Sequence, residues 1–146
     1  SPKFLDPGCG YGLPLVLAAK AGYETYGIDK ERTMVNITKV LTNNLKEKSI
    51  INGNIQNIVC GDMFEPLTYD TLGINFNDID IFYLYALRSI HEDFLPKFSK
   101  SAKSGSHLIN LPGFKERKRE FLFENIKNIK LILQGPDNGY QIYRKY

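Results

Sequence analysis

The chain has 146 residues, of which 42% are hydrophobic, 24% charged and 12% aromatic. These are the proportions of one globular domain with a core, and they exclude a disordered chain, a collagen-like chain and a disulfide-built miniprotein. The net charge of +3 is uneven: residues 1–94 carry 8 Lys+Arg against 12 Asp+Glu, net −4, and residues 95–146 carry 11 against 4, net +7.

No run approaches ~20 uncharged apolar residues, so no membrane-spanning helix is expected. No basic-then-apolar leader opens the chain. The first residue is Ser1, not Met, which leaves room for a start further upstream. The two cysteines, Cys9 and Cys60, form no CxxC pair, and the two histidines, His91 and His107, have no ligand-like spacing, so neither a disulfide framework nor a metal site is expected. A reducing, cytoplasmic location fits this cysteine usage.

Lys3-Phe4-Leu5-Asp6 reads as a buried strand, followed by glycines at 8, 10 and 12. The run 13–20 favours a helix, with Pro14 in its first turn, where a missing N–H costs nothing, and Gly22 near its end. Residues 23–28 are aromatic and β-branched and read as a second strand ending at Asp29. Met34, Ile37, Leu41 and Leu45 recur at helical spacing and predict an apolar stripe, with Lys39, Asn43 and Lys46 on other faces.

Asn52-Gly53 marks a turn, and Ile58-Val59-Cys60 a third strand closed by Gly61-Asp62. Residues 66–78 read as a loop with at most one helical turn. The run 79–87 is the strongest strand, apolar enough to be buried on both faces. Phe94, Leu95, Phe98 and Ala102 predict a helix, with His91, Glu92 and Asp93 as its solvated start.

Residues 107–111 are a fifth strand, in which His107 is structural. Residues 114–125 are charged and periodic and predict a helix, with Lys115–Arg119 as an exposed face. Residues 129–133 and 140–143 flank Pro136-Asp137-Asn138-Gly139 and read as an antiparallel hairpin. Neither a repeat nor a linker is visible, so residues 1–146 read as a single domain. Alternating strands and helices predict parallel strands joined by right-handed crossovers. The expected fold is a Rossmann-like three-layer α/β sandwich with a mostly parallel seven-stranded sheet and a C-terminal antiparallel hairpin.

The chemistry concentrates in Phe4-Leu5-Asp6-Pro7-Gly8-Cys9-Gly10-Tyr11-Gly12. A carboxylate ends the first strand, three glycines follow at every second position, and a helix begins directly after them. Ligands of doubly wound sheets bind at the carboxyl ends of the strands, beside such a turn. Glycines allow close backbone approach, and the helix start offers N–H groups to an anion. The spacing is not the GxGxxG of dinucleotide folds, and no GxxxxGK[ST] is present. Asp29 at the end of strand two suits both hydroxyls of a ribose. It also suits the start of the following helix. Asp62, directly after strand three, completes three acidic residues at three strand ends. That set fits a ligand with an amine, a ribose and a base.

These residues resemble those of class I S-adenosylmethionine-dependent methyltransferases, and the likeness runs from LDPGCGYG to the terminal hairpin. The resemblance implies S-adenosylmethionine as cofactor and a loop of Gly8, Cys9, Gly10, Tyr11 and Gly12 under its methionine part. It implies Asp6 at the amine, directly or through water, Asp29 at the ribose with Lys30 beside the adenosine, and Asp62 at the adenine amine with the Met63 backbone lining the ring. Residues 84–87 match the strand end facing the methyl group, which makes Tyr85 the candidate catalytic position. No catalytic base stands out.

Pro7 departs from the family pattern by removing one backbone donor. The Pro-Pro-Tyr strand end of nucleic-acid amino methylases is absent, and so are the helices that usually precede strand one. Small lidless members of the family include protein lysine methyltransferases, and residues 83–114 are similar to those. The implied acceptor is a protein side chain with a lysine-like amine, or another macromolecule. RNA, a small metabolite or a non-catalytic cofactor-binding relic are the alternatives, and no membrane partner is implied.

Overall fold

A computed structural model of the chain describes residues 1–51, 55–113 and 126–146. The Asn52-Gly53 turn, the expected helix over 114–125 and its Lys115–Arg119 face lie outside the described residues. Among the described residues, the chain carries a seven-stranded mixed sheet, mostly parallel, with four α-helices and a C-terminal antiparallel hairpin. It divides into two compact units, residues 1–75 and 76–146.

The first unit holds β1 (Lys3–Asp6), α1 (Leu13–Lys20), β2 (Glu24–Asp29), α2 (Arg32–Glu47), β3 (Ile55–Cys60) and α3 (Pro66–Leu72). Its strands are parallel in the order β3-β2-β1, with Asp6 level with Gly27 and Asp29 level with Cys60. β2 and β3 therefore end level, and β1 ends two residues short of them. Thr25, Tyr26, Gly27 and Ile28 are buried in succession, which means that both faces of β2 are covered. Helix α1 buries Leu15, Ala18 and Ala19, small enough to sit close on β1 and β2.

Helix α2 differs from its predicted face. Val35, Thr38 and Thr42 are buried, while Ile37 and Leu41 are exposed, and so is Val40. Threonine turns inward here because both hydroxyls find backbone carbonyls, Thr42 at Thr38 and Thr38 at Gly10. The satisfied hydroxyl removes the penalty of burying it. Residues 66–72 form two helical turns where a loop was expected. Pro66 sits at the helix start, where it is tolerated, and Thr68, Tyr69 and Leu72 face inward.

The second unit holds β4 (Ile81–Ala86), α4 (Arg88–Ser101), β5 (His107–Pro112), β6 (Ile129–Gln134) and β7 (Gln141–Lys145), with the strand order β4-β5-β7-β6. β4 and β5 are parallel, and β7 runs antiparallel to both β5 and β6. Burial on β4 alternates rather than running through. Phe82 and Leu84 are fully buried, Tyr83 is half-buried and Tyr85 is exposed.

Phe82 anchors an aromatic cluster with ring-centroid distances of 4.6 Å to Phe76, 5.3 Å to Phe98 and 6.0 Å to Phe94. That packing carries α4 through Pro96, a residue that costs a helix interior about 3 kcal/mol. The expected solvated start of α4 is corrected at His91, which is buried with its Nε2 2.9 Å from the Ala86 carbonyl. The carbonyl can only accept, so Nε2 carries the proton and donates. In the hairpin turn the left-handed residue is Asp137 (φ 51°), not Gly139, which is helical at φ −62°.

Candidate functional site

The carboxyl ends of β1, β2 and β3 converge on β2. The Cys9 N–H donates to the Ile28 carbonyl at 2.9 Å, and the Gly61 N–H donates to the Asp29 carbonyl at 2.9 Å. The loops after β1 and β3 are thereby both tied to the strand between them. Close packing enforces this. A methyl group on Gly27 would lie 2.8 Å from the Leu15 Cδ1 and 3.1 Å from the Cys9 sulfur, so β2 admits no side chain there.

The glycine loop is a hydrogen-bonded turn. The Gly12 N–H donates to the Cys9 carbonyl at 2.7 Å, and the Gly10 N–H donates to Asp29 Oδ2 at 2.9 Å. Gly12 enters α1 from the left-handed region, φ 77°, and a Cβ there would lie 2.5 Å from the Thr38 methyl. Only glycine satisfies both conditions. Gly8 and Tyr11 are exposed, Cys9 is buried and Gly10 is half-buried.

The three acidic residues occupy different environments. Asp6 is 2% exposed, and its Oδ1 accepts the Gly8 N–H at 3.3 Å. Burial pushes its carboxyl up to about 7, the Gly8 hydrogen bond opposes that rise, and the charge of Asp29 adds to it. A buried acid in this state suits a cationic partner such as an ammonium group, whose charge would offset its desolvation. Pro7, for all its missing donor, leaves the Asp6 bond to Gly8 in place.

Asp29 is half-buried and uses both oxygens: Oδ2 takes the Gly10 amide, and Oδ1 takes the Glu31 N–H at 2.9 Å. It therefore holds the turn that leads into α2 and the glycine loop at once. An ionised carboxylate has about four lone-pair sites, so acceptor capacity remains for two hydroxyls.

Asp62 is half-exposed. Its Oδ1 accepts the Phe64 N–H at 2.9 Å, and its Oδ2 lies 3.5 Å from Lys30 Nζ. That ion pair is solvent-exposed and stabilises little. Met63 is buried, and its carbonyl accepts the Tyr69 hydroxyl at 2.7 Å. Burial pushes the Tyr69 phenol and the Cys9 thiol upward, with nearby carboxylates adding to both. Cys9 is thus a neutral packing residue of the loop, not a thiolate.

Asp6, the glycine loop, Asp29, Lys30, Asp62 and Met63 thus all lie at one end of the first unit. Tyr85 lies in the second unit, 55% exposed near the end of β4. Two further residues hold the loops and carry no sequence motif: Thr38 on the first and Tyr69 on the last. A buried threonine at the centre of the α2 stripe was the available signal, hidden by the stronger pattern of Met34, Ile37 and Leu41.

Among the described residues, no helix is long and apolar enough to cross a membrane. No curated protein matches the chain in sequence. Among solved structures, an RNA methyltransferase from Salinibacter ruber in complex with S-adenosyl-L-homocysteine is 18% identical, with a TM-score of 0.67 over 99% of this chain and 79% of that one. A predicted O-methyltransferase from Agrobacterium tumefaciens is 15% identical, with a TM-score of 0.67 over 99% and 73%. A geranyl diphosphate C-methyltransferase from Streptomyces coelicolor, with bound Mg2+, geranyl diphosphate and S-adenosyl-L-homocysteine, is 14% identical, with a TM-score of 0.57 over 77% and 39%. These likenesses show the Rossmann-like methyltransferase fold. The family described as a methyltransferase domain matches residues 5–107, and the chain belongs to that family, as a class I S-adenosylmethionine-dependent methyltransferase.

Proposed function

We propose that this chain transfers the methyl group of S-adenosylmethionine to an amine on a protein, with both units acting as a single domain. The observation that carries the cofactor assignment is the glycine loop tied to Asp29 by the Gly10 amide, in a chain of the methyltransferase-domain family. Asp6 takes the amino-acid ammonium, and Gly8, Cys9, Gly10, Tyr11 and Gly12 run beneath the methionine part. Asp29 accepts the ribose hydroxyls with Lys30 alongside, and Asp62 and the Met63 backbone flank the adenine.

The cofactor supplies an activated methyl on a sulfonium, so the chain needs neither a metal nor a covalent intermediate. Its residues hold the reactants in line, which is worth several kcal/mol by itself. Tyr85, exposed on β4, is the position we assign to the acceptor side. A protein acceptor is supported by the likeness of residues 83–114 to small lysine methyltransferases and by the missing Pro-Pro-Tyr strand end.

RNA is the second reading. The net charge of +7 over residues 95–146 favours it, as does the RNA methyltransferase among the structural neighbours. The test is a tritiated-methyl transfer assay on cell extract, treated separately with protease and nuclease. Label in protease-sensitive material is expected. Nuclease-sensitive label would replace the protein by RNA, and label in small molecules alone would discard both. A rise in melting temperature with S-adenosylhomocysteine, from binding to the folded state only, tests the cofactor assignment separately.

A further inference from the structure

We infer that Thr38 of α2 is a positioning residue for the cofactor, its hydroxyl locking the Gly10 carbonyl and its methyl holding the bend at Gly12. The inference rests on the cofactor reading above. Thr38 is fully buried, 28 residues from the glycine it serves. A helical threonine ordinarily turns its hydroxyl back to a carbonyl of its own helix. Thr42 does so, bonding the Thr38 carbonyl at 2.8 Å. The Thr38 hydroxyl leaves its helix instead and donates to Gly10.

Gly10 is therefore held on both sides, its N–H by Asp29 and its carbonyl by Thr38. The Thr38 methyl occupies the space that a side chain at Gly12 would need. Three glycines in five residues give a loop of high intrinsic freedom, and a ligand that binds it must order it. Two ties on one residue and one stop at Gly12 do that ordering in advance, so the loop meets its ligand already shaped. The requirement is for a hydroxyl and a methyl on one short side chain. Serine lacks the second, valine lacks the first, and alanine lacks both.

The experiment measures S-adenosylhomocysteine affinity by calorimetry for wild type, Thr38→Ser, Thr38→Ala and Thr38→Val, with amide exchange at Gly10 followed in the free proteins. Thr38→Ala and Thr38→Val are expected to bind about tenfold more weakly, in keeping with one lost buried hydrogen bond. Their Gly10 amide should exchange faster. Thr38→Ser keeps the hydroxyl and loses the methyl, so it should fall between wild type and Thr38→Ala on both readouts.

A purely packing role would give the reverse order, with valine benign and serine impaired, and would overturn the inference. So would wild-type affinity in Thr38→Ala. Should the alanine variant not fold, valine, which matches threonine in shape, makes the same comparison against serine. If wild type itself binds no S-adenosylhomocysteine, the cofactor reading falls and this inference falls with it. If wild type binds and the variants match it, only the role of Thr38 falls.

Discussion

The two units of this chain solve different problems with different side chains. In the first unit the decisive contacts are polar and join loops to strands and to a helix: Cys9 to Ile28, Gly10 to Asp29, Gly61 to the Asp29 carbonyl, Thr38 to Gly10. In the second they are apolar and join a helix to a strand, with Phe82, Phe94 and Phe98 fully buried. Hydrogen bonds to glycine loops fix where a backbone lies, at about 1 kcal/mol net each. Aromatic burial fixes whether the unit folds at all, at several kcal/mol per ring. A site built on the first kind of contact shows itself by motif, whereas a scaffold built on the second shows itself only by hydrophobicity.

Phe82→Ala should produce the largest effect. The ring touches three others and is wholly buried, so its removal should destabilise the protein by about 3–5 kcal/mol. Urea denaturation checks this. A loss below about 1 kcal/mol would mean that the second unit does not depend on its aromatic cluster.

Asp6 offers a pH-dependent break of the first unit. Its carboxyl is raised from 3.8 to about 7 in the fold, so between these values the folded state binds more protons than the unfolded one. Stability therefore falls as pH rises from about 4 to about 7, by on the order of 4 kcal/mol, and is level above that. Asp6→Asn removes this slope and should be more stable than wild type at pH 8, with the gap closing toward pH 4. If Asp6 takes the ammonium as proposed, the same substitution should weaken S-adenosylhomocysteine, because that acceptor has lost its charge. Denaturation across pH and calorimetry read the two effects. Parallel stability curves for the two proteins would show that Asp6 is not the group that titrates.

Asp29→Ala should cost about 1.5–3 kcal/mol in S-adenosylhomocysteine affinity, the range for hydrogen bonds to a charged group. Calorimetry measures it. The variant also loses the bonds to Gly10 and Glu31, so it should melt somewhat lower. Lower stability with unchanged affinity would leave Asp29 as a tie between the glycine loop and the turn into α2 and nothing more.

How much of this is legible in the sequence follows the same division. The strand ends, the glycine turn and Asp29 were readable because geometry leaves few residue types that fit them. Gly12 has a positive φ and no room for a Cβ, and such constraints are written locally. Thr38 was not readable, because its partner lies 28 residues away and threonine is unremarkable in a helix. The α2 face was misread for a related reason. Met34, Ile37 and Leu41 form the more hydrophobic stripe, but two threonines with satisfied hydroxyls took the inner positions. His91 was misread because flanking acids suggested solvent, while a backbone carbonyl at Ala86 made burial tolerable. Residues 66–72 are helical where a loop was expected because Pro66 sits at the helix start, where its missing N–H costs nothing.

Tyr85 gives the smallest effect on stability and the sharpest contrast within one strand. It sits three residues beyond Phe82, and from sequence either could be a core aromatic on a strand buried from both sides. The pleat separates them: Phe82 is fully buried and Tyr85 is 55% exposed. Removing an exposed ring leaves no cavity, so Tyr85→Ala should change stability by no more than about 0.5 kcal/mol. If Tyr85 serves the acceptor side, methyl transfer should fall in that variant while S-adenosylhomocysteine affinity holds, since Asp6, the glycine loop and Asp29 are untouched. Denaturation, calorimetry and the label-transfer assay on one protein sample separate these quantities. A stability loss as large as that of Phe82→Ala would return Tyr85 to the core. Unchanged transfer at unchanged stability would leave it an exposed aromatic with no part in the reaction.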